Sequence, residues 1–289
     1  MININGFIHT KEALESLSQN SYSNYSVILI DNGSINNEGI RLKEMFPDLE
    51  LIRNQENQGF ATAMSQGIHV ALKKSDCGYV MIVNNDIALY PDTLEILVSY
   101  VKKNPRTIVS PQILIYNDPQ RLDNLGGKII YSLGCTSNIG RMQWASAYPK
   151  DSVPDYLSGC CFMSTREVFE RVGTFFEPYF AYWEDTDWCL HAKRKGYALR
   201  VIAKARLKHK ISMYSKKTEN VKAYYIARNG IIFARRNLSY LIKLFFIGQH
   251  ILFSLCMGLF TGHQAYTPLG TCVRGLWAGL IMPLKKTSD

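Results

Sequence analysis

A chain of 289 residues that is 47% hydrophobic and 20% charged can bury a full core as one large domain or as a domain with an appendage, which excludes intrinsic disorder and fibrous repeats. Its seven cysteines are scattered with no C-x-x-C pair, so a cysteine zinc site is excluded. The N-terminus MININGFIHTKE has neither a basic nor an apolar leader region, and a reducing, cytoplasmic protein without disulfides is expected. The net charge of +9 is local: Lys193 to Lys243 carries fifteen Lys and Arg against one acid, Glu219, an excess of +14 that leaves the remainder at −5. This basic stretch runs into the apolar segment Leu244 to Gly262, an order that fits an anionic membrane surface better than nucleic acid.

Up to about residue 115, short β-branched runs (Ser26 to Ile30, Leu49 to Ile52, Tyr79 to Val83, Thr107 to Val109) alternate with amphipathic stretches of helical length (Thr10 to Gln19, Ala61 to Lys73, Asp92 to Lys103). The alternation predicts right-handed βαβ units and a parallel sheet, with the polar clusters after strand ends facing one crevice. From Tyr116 to Asp155 the pattern weakens into irregular strands and loops. Ser164-Thr165-Arg166-Glu167 reads as a capping box opening a helix that ends near Gly173. A helix from near Glu184 to before Gly196, a strand over Tyr197 to Ile202 and a helix over Lys216 to Asn237 follow.

Four clusters can carry chemistry. Asn84-Asn85-Asp86 follows the apolar strand YVMIV, where one carboxylate aimed into the crevice can hold Mg or Mn together with substrate phosphates; a strand-ending Asx turn explains the same residues. Glu184-Asp185-Thr186-Asp187 lies among Tyr179, Phe180, Tyr182, Trp183 and Trp188. Helix N-terminal capping accounts for the acids, yet carboxylates walled by aromatic rings are desolvated, which raises their pKa and suits a general base. Trp188 reads as core. Asp31-Asn32-Gly33-Ser34 is a turn by composition, and Asp31 can accept from a nucleobase or ribose. Asn57-Gln58-Gly59-Phe60 opens a helix where Gly59 permits close backbone approach. His209, in a basic strand-like stretch, is a surface residue or a metal ligand.

In order, NING, DNGS, NQGF, VNND, SGCCFMSTREVFERVG, YWEDTDWCL, His209 and YYIARNGIIFARRN resemble glycosyltransferase family 2, particularly its bacterial rhamnosyltransferase-like members, over about Ile2 to Asn237. The resemblance implies an α/β GT-A fold, a Rossmann-like mostly parallel sheet flanked by helices, with C-terminal apolar helices. It implies a donor pocket of Asn3, Asn5, Asp31, Asn57, Gly59, Asn84 and Asn85, and a Mn or Mg ion on Asp86 and His209. Asp185 is implied as the catalytic base with Glu184 in support, and Trp183, Asp187 and Gly159 as acceptor-binding residues. The expected domains are 1–237, divided into a nucleotide half (1–115) and an acceptor half (116–237), and a tail (238–289).

The implied reaction is inverting transfer of a sugar, L-rhamnose from dTDP-rhamnose first and a UDP-hexose next, from a nucleoside-diphosphate donor. The acceptor is a hydroxyl of a glycan or polyprenyl-diphosphate-linked chain at the inner face of a bacterial membrane. A nucleotidyltransferase would carry a Gly-rich basic loop after the first strand, and Asn5-Gly6-Phe7 is not one. A catalytically silent membrane-bound subunit is the other alternative. The tail is expected to lie in the membrane interface rather than span it, since Gln249 and His250 interrupt its apolar run; packing against the domain or a homo-oligomer partner would use the same faces.

Overall fold

Residues 1–210, 216–260 and 269–284 are described by a computed structural model of the chain. The alternating region forms β1 (Ile2–Asn3), α1 (Phe7–Ser18), β2 (Ile28–Asn32), α2 (Glu38–Met45), β3 (Glu50–Asn54), α3 (Gly59–Lys73) and β4 (Tyr79–Val83). It continues through β5 (Ile87–Leu89), α4 (Thr93–Lys103) and β6 (Thr107–Ile115). The irregular region holds β7 (Asp118–Asn124), β8 (Gly127–Ile130) and β9 (Cys135–Asn138). Beyond it come β10 (Cys161–Thr165), α5 (Arg166–Val172), α6 (Glu184–Arg194), β11 (Ala198–His209), α7 (Lys216–Asn237), α8 (Tyr240–Phe260) and α9 (Leu269–Ile281).

The βαβ expectation holds for β1, β2 and β3, which pair in parallel and bring Asn3 beside Asp31 and Asp31 beside Arg53. The second sheet, ordered β4-β10-β6-β11-β5 with β7 beside β6, is mixed: β11 runs parallel to β6, while β10, β5 and β7 pair antiparallel. Ser164 is therefore not a helix cap. It lies within β10, fully buried, and its hydroxyl donates to the Thr107 carbonyl at 3.2 Å; the sheet took the residue that local helix chemistry would have used. β11 extends seven residues past the expected end, after an irregularity in which residues 203–205 have no counterpart on β6.

Contacts divide the chain into two units. The first comprises Met1–Lys128, Asn138–Phe180 and Glu184–Ser212, and its core includes Leu14, Leu29, Leu97, Val109, Ile113 and Leu207. Trp188 belongs to its aromatic packing as expected, stacked on Phe162 at 5.1 Å and Phe169 at 5.2 Å with its indole N–H on the Gly173 carbonyl at 2.7 Å.

The second unit gathers Ile129–Ser137, Ala181–Trp183 and the C-terminal helices, so α7 groups with α8 and α9, whereas the sequence expectation divided the chain after residue 237. Gly275 and Gly279 let α9 lie directly on α7, since a Cβ at either would come within 2.5 Å of a carbonyl oxygen of Tyr224 or Arg228. His250 is fully buried, with Nδ1 2.6 Å from the Gly134 carbonyl and Nε2 3.0 Å from that of Ala227. The two polar residues that interrupt the apolar run thus include one that joins α8 to the rest of its unit. Tyr240, Leu241 and Phe245 of α8 and Trp277 and Ile281 of α9 remain exposed.

Candidate active site

The chain reversal after β2 is held by Asp31, whose Oδ1 accepts from the Ser34 backbone at 3.2 Å and Oδ2 from that of Gly39 at 3.1 Å. Asp31 is buried, so the turn-forming role that composition indicated is physically present. Asn3 is buried too: its amide donates to Ser34 Oγ (2.9 Å) and Glu38 Oε2 (3.0 Å), and its Oδ1 accepts from Thr10 Oγ1 (2.7 Å). Asn5, at φ 49°, accepts through Oδ1 from the Ile35 backbone at 2.9 Å. Asn85 donates to the same Thr10 hydroxyl at 2.8 Å, so one chain of hydrogen bonds ties the ends of β1, β2 and β4 together through α1.

The start of α3 is organised by Asn32 and Asn57. Asn57 Oδ1 accepts from the Gly59 backbone at 2.9 Å and from Asn32 Nδ2 at 3.0 Å, while Asn32 Oδ1 accepts from the Gln58 backbone at 3.1 Å. Thr10, which lies outside the motifs, and Asn32 and Ser34, read from the sequence only as turn residues, are the hubs of these networks.

Two consecutive residues of the loop before β10 tie β4 to the acidic helix. The Cys160 carbonyl accepts from the Asn84 backbone at 2.9 Å, and the Gly159 N–H donates to Asp185 Oδ2 at 2.9 Å. Asp185 Oδ1 accepts from the Thr186 backbone at 2.6 Å. Burial pushes the Asp185 carboxyl above the usual range while these donors pull against it. Glu184 is pushed well above it, by burial first and by the neighbouring Asp185 charge second, and its Oε2 has no hydrogen-bond partner among the described residues. Asp187 is buried and accepts from Tyr179 Oη at 3.0 Å. Trp183, expected beside the acceptor, instead packs within the second unit: it is buried, with its ring 4.9 Å from Phe233 and 6.1 Å from Phe246. Two phenyl rings thus hold the indole inside its own unit.

At the end of β11, His209 Nε2 lies 3.3 Å from Asp86 Oδ1, and Nδ1 lies 2.9 Å from Asp123 Oδ2. Neither Nε2 nor Asp86 Oδ1 has a hydrogen-bond partner among the described residues, although both atoms are buried. Burial opposes charge on the imidazole, but the neighbouring carboxylates of Asp123 and Asp86 outweigh it and push His209 up to about 9, which favours the protonated ring. With Nε2 deprotonated, this nitrogen and the Asp86 oxygen would be two lone pairs in repulsion; a proton on the ring relieves that, and a divalent cation taking the proton's place would relieve it as well, so the pair can seat a metal ion. Among the described residues no group of three or more His, Cys, Asp or Glu side chains is disposed to hold a metal, so an ion held by Asp86 and His209 would need its remaining ligands from outside the chain, such as phosphate oxygens. Asp123 carried no sequence signal: it lies in DPQRLDN, which has neither alternation nor a strand-end motif.

The chain is similar to the N-acetylglucosaminyl-diphospho-decaprenol L-rhamnosyltransferase of Mycobacterium tuberculosis, at 26% identity over 70% of this chain and 71% of that protein. It is likewise similar to the dTDP-rhamnosyl transferase RfbF of Shigella flexneri, at 27% identity over 77% of this chain and 74% of that one. Among solved structures, it superposes on the mannosyltransferase PcManGT from Pyrobaculum calidifontis in complex with GDP-Man and Mn2+ with a TM-score of 0.60 at 15% identity. That superposition covers 97% of this chain and 85% of the other, and the shared architecture is the GT-A fold. The profile of Glycosyl transferase family 2 matches residues 9–173, more than half of the 289, and runs through the turn at Asp31, the start of α3 and the Asn84 to Asp86 strand end. On that match the chain belongs to glycosyl transferase family 2 and is a glycosyltransferase.

Proposed function

We propose that this glycosyltransferase is inverting and metal-dependent, and moves L-rhamnose from dTDP-rhamnose, or failing that a hexose from its UDP form, to a hydroxyl on a lipid-linked or growing bacterial surface glycan. The observation that carries the reading is the buried pair His209 Nε2 and Asp86 Oδ1, 3.3 Å apart and otherwise unpartnered among the described residues. The two rhamnosyltransferase relatives support the donor sugar, and the lipid-linked substrate in the mycobacterial relative's name supports the acceptor class.

Asp86 and His209 would hold the divalent ion, Mn or Mg, which when bound neutralises charge on the diphosphate leaving group. Asn3, Asn5, Asp31, Asn57, Gly59, Asn84 and Asn85 shape the donor side of the crevice, chiefly by fixing backbone at the ends of β1, β2 and β4. Asp185 takes the proton of the acceptor hydroxyl, and its raised pKa brings the carboxylate nearer the range useful to a general base. The deprotonated oxygen attacks the anomeric carbon from the face opposite the diphosphate, the carbon–oxygen bond to the diphosphate breaks, and the anomeric centre inverts. Gly159 orients Asp185 through its N–H; Glu184 and Asp187 complete the acidic wall. The domain that does this is expected to comprise residues 1–237. The exposed apolar residues of α8 and α9 attach the enzyme to the inner face of the membrane; among the described residues one helix is long and apolar enough to cross it, Tyr240–Gly258, and it contains the buried His250.

The test is sugar release from dTDP-rhamnose and UDP-hexoses with Mn2+ or with EDTA, in wild type and in Asp86→Ala. Metal-dependent turnover that Asp86→Ala loses is expected, with His209→Ala acting in the same direction and less severely. Equal donor affinity in Mn2+ for wild type and Asp86→Ala would remove the metal assignment.

A further inference from the structure

His209 can present a bare Nε2 to Asp86 in only one of its neutral tautomers, the one with its proton on Nδ1. The group that decides between them is Asp123, whose Oδ2 lies 2.9 Å from Nδ1. Asp123 is itself held in place: it is 6% exposed, the same oxygen accepts from Asn124 Nδ2 at 3.2 Å, and Asn124 Oδ1 accepts from the Gly126 backbone at 3.2 Å.

The arrangement is built into the sheet. β5, β11, β6 and β7 are successive neighbours, with His209 registered against Ile87 on one side and Ile115 on the other. Asp86 therefore enters from just ahead of β5 and Asp123 from β7, one strand beyond β6, so that the imidazole lies between two carboxylates with different tasks. Asp86 Oδ1 has nothing else to bind, whereas Asp123 Oδ2 is engaged by two donors and points to the nitrogen that a metal would not use.

We propose that Asp123 is a positioning residue of the metal seat: its carboxylate accepts the Nδ1 proton of His209, fixes the ring with Nε2 toward Asp86 and makes that nitrogen a stronger ligand. The inference rests on the metal reading of Asp86 and His209 given above.

The test measures Mn2+ affinity by electron paramagnetic resonance of the free ion, in the presence of dTDP and in parallel UDP, for wild type, His209→Ala, Asp123→Leu and Asp123→Asn. Asp123→Leu keeps the approximate shape and removes the acceptor; Asp123→Asn keeps a weaker, neutral acceptor. Loss of Mn2+ affinity by about 10 to 100-fold is expected in Asp123→Leu and by less in Asp123→Asn, with nucleotide affinity in EDTA unchanged. In 15N-histidine NMR with Mg2+ and dTDP, the wild-type His209 signal is expected to be that of an Nδ1–H tautomer, a readout that loose packing alone would not move. Mn2+ affinity within twofold of wild type in both variants, alongside a clear loss in His209→Ala, would overturn the role of Asp123 and leave the metal reading standing. Wild type that binds Mn2+ with neither nucleotide would overturn the metal reading and this inference with it. Should Asp123→Leu not fold, Asp123→Asn decides by the same twofold criterion.

Discussion

Gly59 is packed against Phe180 so closely that a Cβ on the glycine would lie 2.5 Å from the phenyl ring. The contact joins the first residue of α3 to the loop just ahead of the acidic helix, and the Ala61 N–H fastens it by donating to the Phe180 carbonyl at 3.1 Å. Both residues have positive φ, 80° at Gly59 and 64° at Phe180, and only the first is relieved by lacking a side chain. Gly59→Ala is accordingly expected to destabilise the enzyme by about 1–3 kcal/mol and to lower turnover by displacing the loop. Thermal denaturation and initial rates on the purified variant measure both; wild-type values for each would show that the loop absorbs the added methyl freely.

Asp185→Asn separates binding from chemistry. Turnover is expected to fall about 10²–10⁴-fold while donor affinity stays at the wild-type value, because in the proposed mechanism the carboxylate acts on the acceptor proton alone. The amide oxygen can serve only one of the Gly159 and Thr186 backbone donors, so a stability loss of about 1–3 kcal/mol accompanies the change. Calorimetric donor titration beside a transfer assay reads the two effects apart.

Glu184 gives a pH dependence of definite sign. Its pKa is raised in the folded chain, so protonation is favoured by folding: the associated stability is complete below the unfolded carboxyl range and is lost as pH rises through the folded value. Glu184→Gln, which stays neutral, is expected to match wild type in melting temperature near pH 4 and to exceed it increasingly toward pH 8. A pH series of melts measures this, and a gap that closes as pH rises would reverse the sign.

Removal of residues beyond Asn237 is expected to abolish flotation with anionic liposomes, because α8 and α9 carry the exposed Leu241, Phe245, Trp277 and Ile281. Arg235, one of the basic residues ahead of the tail, is engaged within its own unit: it donates to the Gly279 and Met282 carbonyls at 2.6 and 2.8 Å, closing the end of α9. Arg236→Ala is the charge variant to compare with the truncation. Equal flotation of full-length and truncated protein would assign the tail to packing.

The parts of the fold that read directly from the chain are those where one residue pattern meets one physical demand. YVMIV followed by Asn84-Asn85-Asp86 is an apolar strand that must end in polar residues, and β4 spans those same five positions. β10 and β5 were missed because CFMST and IAL are too short to show alternation and because they pair antiparallel, which no βαβ argument anticipates. In α2 the buried positions are only Gly39 and Leu42, too few for a helical period to stand out. The pairing of Asp86 with His209 joins residues 123 positions apart through β5 and β11, and no local signal carries it; the family resemblance did. Asp123 escaped both routes, since it touches the ring nitrogen that no ligand motif describes.

The three unmatched residues in β11 decide which side chain the strand presents to Asp86. Val201 and His209 are eight residues apart and would share a face of an uninterrupted strand, yet Val201 registers with Ser110 and His209 with Ile115, an odd interval that sets them on opposite faces. The irregularity thereby sends His209 to the face opposite the one it would share with Val201 in an uninterrupted strand. A change of one residue in the 203–205 segment, if carried as a slip downstream, would offer Lys208 or Lys210 to Asp86 in place of the imidazole. An ammonium there would hold the carboxylate as an ion pair and occupy the ground meant for a cation from outside. Loop length, rather than the identity of any ligand, would then be what separates a metal-using transferase from a protein of the same fold that has locked its own site.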